Sequence, residues 1–154
     1  MNILFVYFDK IIQNDNLYVK SLCEEIRRQN GSVECSIDAF WNSPRKYDIV
    51  HIQFPEVIFK WRQPSDNGLK ALRQRIARLK SMGTKIVYTR HDAIPHYCTD
   101  KNKLELYRIV ETQSNAIIHL GEYSSPVYIP KTRLGISSYL ITYTIHVDMH
   151  SLRN

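Results

Sequence analysis

The residues best equipped for chemistry form one row, Arg90-His91-Asp92, with His96 close behind. Imidazole and carboxylate groups at one rim can run general acid or base catalysis. A guanidinium beside them binds phosphate or carboxylate through its planar fork. The row follows Lys85-Ile86-Val87-Tyr88-Thr89, a β-branched and aromatic run between Gly83 and Pro95. That composition predicts a buried strand over 85–90. In an open α/β sheet, ligands bind just beyond the carboxyl ends of the strands. Other strand ends add Phe8, Asp9 and Lys10, then Gln53, Pro55 and Glu56, then Glu122. His91 and Asp92 are the candidate catalytic pair. Phe8, Asp9, Gln53, Glu56, Arg90, His96 and Glu122 are the candidate substrate-binding residues. His51, between apolar neighbours inside a strand, reads as a hydrogen-bonded core histidine rather than a ligand. His91, Asp92, His96 and Cys98 match no compact zinc spacing, so no metal is expected.

These residues need a sheet to bring them together. Strands are expected at 2–7, 33–37, 48–54, 85–90 and 116–120, with a sixth over 139–145. Val19, Leu22, Cys23 and Ile26 recur at helical spacing, with Asn14 and Asp15 as capping candidates and Asn30-Gly31 as the stop. Ser65 caps a second helix with Leu69, Leu72, Ile76 and Leu79 inward, ended by Gly83. Lys101 to Gln113 is a third helix, with Leu106, Ile109 and Val110 inward. Residues 56–64 are expected to be a loop. Strands that read as continuous apolar runs, alternating with helices, predict an α/β domain with a doubly wound parallel sheet and right-handed crossovers. There is no internal repeat or linker, so 1–154 is one domain. The tail from 125 shows no closing helix, which suggests an incomplete unit.

Of the 154 residues, 44% are hydrophobic and 23% charged, which excludes a disordered chain. No apolar run approaches the ~20 residues of a membrane span. Cys23, Cys35 and Cys98 are odd in number and lack metal spacing, so a reduced, cytoplasmic setting is the simplest account. The net charge of +6 favours an anionic partner without choosing one. Lys70, Arg73, Arg75, Arg78 and Lys80 share one helix with no acid between them. The functional reading is a face for nucleic acid or anionic lipid, and a solvated face is preferred. The absence of stacking aromatics there counts against single-stranded RNA. Phe59-Lys60-Trp61-Arg62 is the better candidate for peripheral membrane contact, since it joins apolar wedges to positive charge. No dinucleotide fingerprint, phosphate loop or nucleophile elbow is present, so no cofactor is expected.

Three stretches carry a resemblance. Asp48-Ile49-Val50-His51-Ile52-Gln53-Phe54-Pro55-Glu56 resembles the D-I-V-H-x-H-x-P stretch of the retaining family 4 (group 1) glycosyltransferases of GT-B fold. Lys85 to Pro95 resembles their K-x-V-x-T-x-H-D-x-x-P, and Ala116 to Ser124 their D-x-I-I-x-x-S strand end. The order and spacing of all three agree, and the likeness covers about residues 1–124. It implies a Rossmann-like acceptor-binding domain, one half of a GT-B fold. The acceptor would be a sugar or glycolipid, as in polysaccharide biosynthesis. His91 would line the cleft near the transferred sugar, with Arg90, Asp92 and Glu122 as neighbours.

The chain also departs from that family. The loop after the first strand, Phe8-Asp9-Lys10-Ile11-Ile12-Gln13, lacks the usual Gly-Gly pair. Gln53 stands where many members have His; Gln cannot act as a base but can hydrogen-bond a sugar hydroxyl. The family's second domain, which binds the nucleotide sugar, is not in these 154 residues. The expectation is therefore a truncated transferase or an isolated acceptor-domain homologue, inactive alone. The alternative is a non-catalytic binding module that uses the Lys70 to Lys80 face.

Overall fold

The computed structural model describes residues 1–8, 16–91, 100–120 and 137–140, the last four by their backbone. The elements in order are β1 (Asn2–Phe5), α1 (Leu17–Arg28), β2 (Ser32–Cys35), α2 (Ile37–Asn42) and β3 (Ile49–Ile52). A 3-10 turn (Pro55–Phe59) leads to α3 (Asp66–Ser81), β4 (Lys85–Arg90), α4 (Lys101–Gln113), β5 (Ala116–His119) and β6 (Ser137–Leu140). Six strands form one sheet in the order β2-β1-β3-β4-β5-β6, and every neighbouring pair is parallel. The β1–β2 unit runs one way from β1, and the later units run the other way. Strand order therefore reverses between β1 and β3.

Alternation along the strands makes two cores. Leu4, Val50, Ile52, Ile86, Tyr88 and Ile117 point to the face covered by α2, α3 and α4. There they meet Phe40, the predicted stripe Leu69, Leu72, Ile76 and Leu79, and Leu106, Ile109 and Val110. Ile3, Phe5 and Tyr7 point the other way, onto Val19 and Cys23 of α1. Fully burying such a leucine or isoleucine side chain contributes ~1.5–3 kcal/mol. Helices on both faces of a parallel sheet make this a Rossmann-like doubly wound α/β fold.

Helix starts follow side-chain chemistry. Ser65 accepts from the Gly68 N–H at 3.1 Å, and Asp100 accepts from Asn102 and Lys103, both at 2.9 Å. At α1 the cap is Asn16, which accepts from Val19 at 3.2 Å; Asn14 and Asp15 lie outside the described residues. The stop differs in detail from expectation. Asn30, not Gly31, takes the left-handed conformation, with φ 62°. Gly83 does so after α3, with φ 85°.

Two segments differ from the sequence reading. β2 ends at Cys35, and Ile37 opens α2, capped by Ser36, whose hydroxyl accepts from Ala39 at 3.0 Å. The expected loop after β3 begins with the 3-10 turn, where Pro55 at the first position fixes φ. β6 starts two residues before Tyr139, and residues 141–145 lie outside the description. Among the described residues, no helix is long and apolar enough to cross a membrane.

Candidate active site at the carboxyl edge of the sheet

A reversal of strand order opens a crevice beyond the carboxyl ends of the two diverging strands. Here Tyr7 and Phe8 leave β1 and Gln53 and Phe54 leave β3, with His91 following β4 on the adjoining strand. His91 Nε2 lies 2.9 Å from Gln53 Oε1. The Gln53 amide nitrogen lies 3.2 Å from His51 Nε2, and Thr89 Oγ1 is 2.8 Å from that same nitrogen. The His91 ring stacks on Phe54 at 4.5 Å and 18°, and meets Tyr18 edge-on at 5.7 Å. Tyr7 joins this wall through Phe54 at 6.5 Å and Phe8 at 5.5 Å. Gln53 is 1% exposed and Thr89 0%, so only the His91 end of the chain of polar groups is half-exposed.

Strand alternation builds this line. β3 and β4 pair with His51 opposite Val87, so His51, Gln53, Thr89 and His91 share the α1 side of the sheet. His51 is a core residue, as expected, packed against Phe5 at 4.6 Å. Burial, with a smaller contribution from nearby His91, pulls its pKa down from 6.5 to about 3. Desolvation disfavours the charged imidazolium, so His51 stays neutral.

The same alternation sends Arg90 to the opposite face. It is 4% exposed, and its Nε lies 3.3 Å from Glu111 of α4. Burial raises the pKa of Glu111, and Arg90 opposes that rise. Glu56 accepts from the Tyr107 hydroxyl of α4 at 2.5 Å. Gln53 and His91 therefore meet, whereas Arg90 and Glu56 engage α4 on the other side. Phe8 lies half-buried beside Tyr7. Asp9, Asp92, His96 and Glu122 lie outside the described residues.

Sequence reasoning missed Tyr18, Phe54 and Thr89. Phe54 directly follows Gln53, and Thr89 shares strand parity with His91, so both were open to detection. Tyr18 sits in the first turn of α1, and the first turn of a β-α unit lies near the carboxyl edge of its strand.

The basic stripe is smaller than its sequence suggests. Arg75 is buried and donates to the carbonyls of Phe40, Ala39 and Ser43, capping the carboxyl end of α2. Arg73 pairs with Glu105, and Lys80 donates to the Gln113 carbonyl at 2.9 Å. In the aromatic patch, Phe59 packs on Trp41 at 5.8 Å, while Trp61 is 55% exposed. Lys60 and Trp61 both take left-handed backbone, with φ 54° and 63°.

The fold and this crevice define a Rossmann-like α/β domain with a histidine-centred, aromatic-walled candidate site. Compared with known protein families, curated proteins and solved structures, the chain matches none.

Proposed function

We propose that this domain is the acceptor-binding half of a sugar transferase, taking a sugar or glycolipid acceptor at the His91 crevice. Transfer from a nucleotide sugar is assigned to its pairing with a second, donor-binding domain. The observation that carries the reading is His91, hydrogen-bonded to Gln53 and set against Phe54 and Tyr18. Aromatic walls with a few placed polar groups suit a sugar ring, which offers apolar C–H faces and hydroxyl edges. The resemblance of the three strand-end motifs points the same way. His91 is the group assigned to handle the acceptor hydroxyl's proton.

The test is calorimetric titration of the 154-residue chain with a panel of oligosaccharides and glycolipid headgroups. Binding weakened at least about tenfold by His91→Ala and by Phe54→Ala, each about 1.4 kcal/mol or more, supports the reading. Binding that ignores both changes, or that appears only with nucleic acid and fades with salt, overturns it. In a transfer assay, the chain alone with a nucleotide sugar should give no product.

A further inference from the structure

Two histidines and one amide in this site constrain one another's protons. Gln53 Oε1 can only accept, so the 2.9 Å contact requires His91 to carry its proton on Nε2. The other end of the same amide, Nε2, can only donate, so the 3.2 Å contact requires His51 Nε2 to be bare. Thr89 Oγ1 lies 2.8 Å from the same nitrogen, and with Nε2 bare its hydroxyl donates there as well, the two donors sharing one lone pair. With the amide turned this way, His51 would carry its single proton on Nδ1, and the two histidines would hold opposite tautomers.

We propose that Gln53 is a positioning residue that locks His91 as the Nε2–H tautomer. His51 and Thr89 are the second layer, fixing which way the Gln53 amide points. A neutral His51 is essential to this lock. An imidazolium at His51 would present a proton to the amide nitrogen, and the amide would have to turn over. Turning it over would present N–H₂ to His91 Nε2, which would then have to be bare. Burial beneath Phe5 keeps His51 from charging. A Gln at this position has a donor end and an acceptor end of fixed identity, whereas a neutral His could exchange its own by tautomerisation. The proposal rests on the reading of His91 as the proton-handling group of the site. The lock itself is a property of the free chain.

The experiment is nitrogen-15 NMR of the free 154-residue chain with labelled histidine, at about pH 8, above the ordinary imidazole range. The expected spectrum has His91 as Nε2–H with a slowly exchanging proton, and His51 as Nδ1–H. His51 as Nε2–H, or His91 as Nδ1–H, overturns the lock, because the amide cannot donate to a protonated nitrogen. Gln53→Leu should make the His91 ring proton exchange rapidly with water, and Thr89→Val, which removes one of the two donors that keep His51 Nε2 bare, should speed that exchange to a smaller degree. The wild-type spectrum decides the matter even where a variant fails to fold. The NMR result stands apart from acceptor binding, so loss of the lock and failure of the sugar reading are separately visible.

Discussion

His51 Nε2 and Thr89 Oγ1 lie 2.8 Å apart across β3 and β4, joining two buried polar side chains. Burial of that pair makes His51 a pH-sensitive element of stability. Its folded pKa is about 3, against 6.5 for the ordinary side chain. Between those values the unfolded chain binds a proton that the folded chain refuses. Stability is therefore full above about pH 6.5 and falls as pH drops toward about 3, by up to ~1.4 kcal/mol per unit. Urea midpoints of the wild type and His51→Gln, taken between about pH 7.5 and pH 5, check this. The wild type should lose stability more steeply than the variant. Equal slopes would show that His51 is not the group responsible.

Arg75 should behave unlike its basic neighbours. Its guanidinium donates to the carbonyls of Ala39, Phe40 and Ser43 at the end of α2, where of the three only Ala39 also has a helix-type partner among the described residues, the Ser43 N–H at 3.0 Å. Burial lowers its pKa, with Arg78 adding repulsion and Tyr47 opposing. Arg75→Leu should cost roughly 2–4 kcal/mol, because it strands the Phe40 and Ser43 carbonyls. Arg78→Leu should move stability by only about 0.5 kcal/mol, as for ordinary exposed side chains. Thermal unfolding of the two variants in parallel decides between a stabilising cap and a uniformly solvated basic face.

Arg75 also shows how residue type can mask position. It lies three residues after Leu72 and four before Leu79, on the same stripe as the core leucines. The helical period therefore announced its burial, but its charge suggested an exposed face. The row Arg90-His91 misleads in the reverse way. Neighbours in a strand point to opposite faces, so adjacency in sequence separated them in space. What read cleanly were long, uniform signals. The β-branched run gave β4 its bounds, Ser65 started α3, and the Leu106, Ile109 and Val110 stripe placed α4. Helix α2 was not legible: six residues make under two turns, and Val33, Cys35 and Ile37 mimic a strand's alternation. The tautomer lock required knowing that residues 38 apart in sequence, His51 and Thr89, face each other.

The Arg90–Glu111 pair should prove strongly coupled. Side-chain exposures of 5% and 12% place both groups largely away from water. Removing one partner of a buried pair costs roughly 3–5 kcal/mol, since the other charge is left uncompensated. The upper end is not expected, because Glu111 keeps some access to solvent. Arg90→Met and Glu111→Leu should each cost roughly 3 kcal/mol, and the double variant distinctly less than their sum. A double-mutant cycle by urea unfolding measures the coupling. Additive losses would mean that the two groups act independently at the α4 face.

The turn between α1 and β2 separates two demands usually met by one glycine. Asn30 holds the left-handed conformation, at φ 62°. Gly31 answers a steric demand instead: a Cβ there would lie 2.6 Å from Ile26 Cγ2 and 2.9 Å from the Ile26 carbonyl oxygen. The methyl of Ile26 can swing aside, but its carbonyl accepts the Gly31 N–H at 2.9 Å and is held by it. Gly31→Ala should therefore destabilise by about 1–3 kcal/mol, through displaced backbone rather than lost conformational freedom. Asn30→Gly should stay within about 1 kcal/mol, because glycine takes a positive φ without penalty but loses more chain entropy. Chemical denaturation of both variants distinguishes the two roles. A large loss at Asn30 with none at Gly31 would place the constraint on backbone conformation and not on the approach to Ile26.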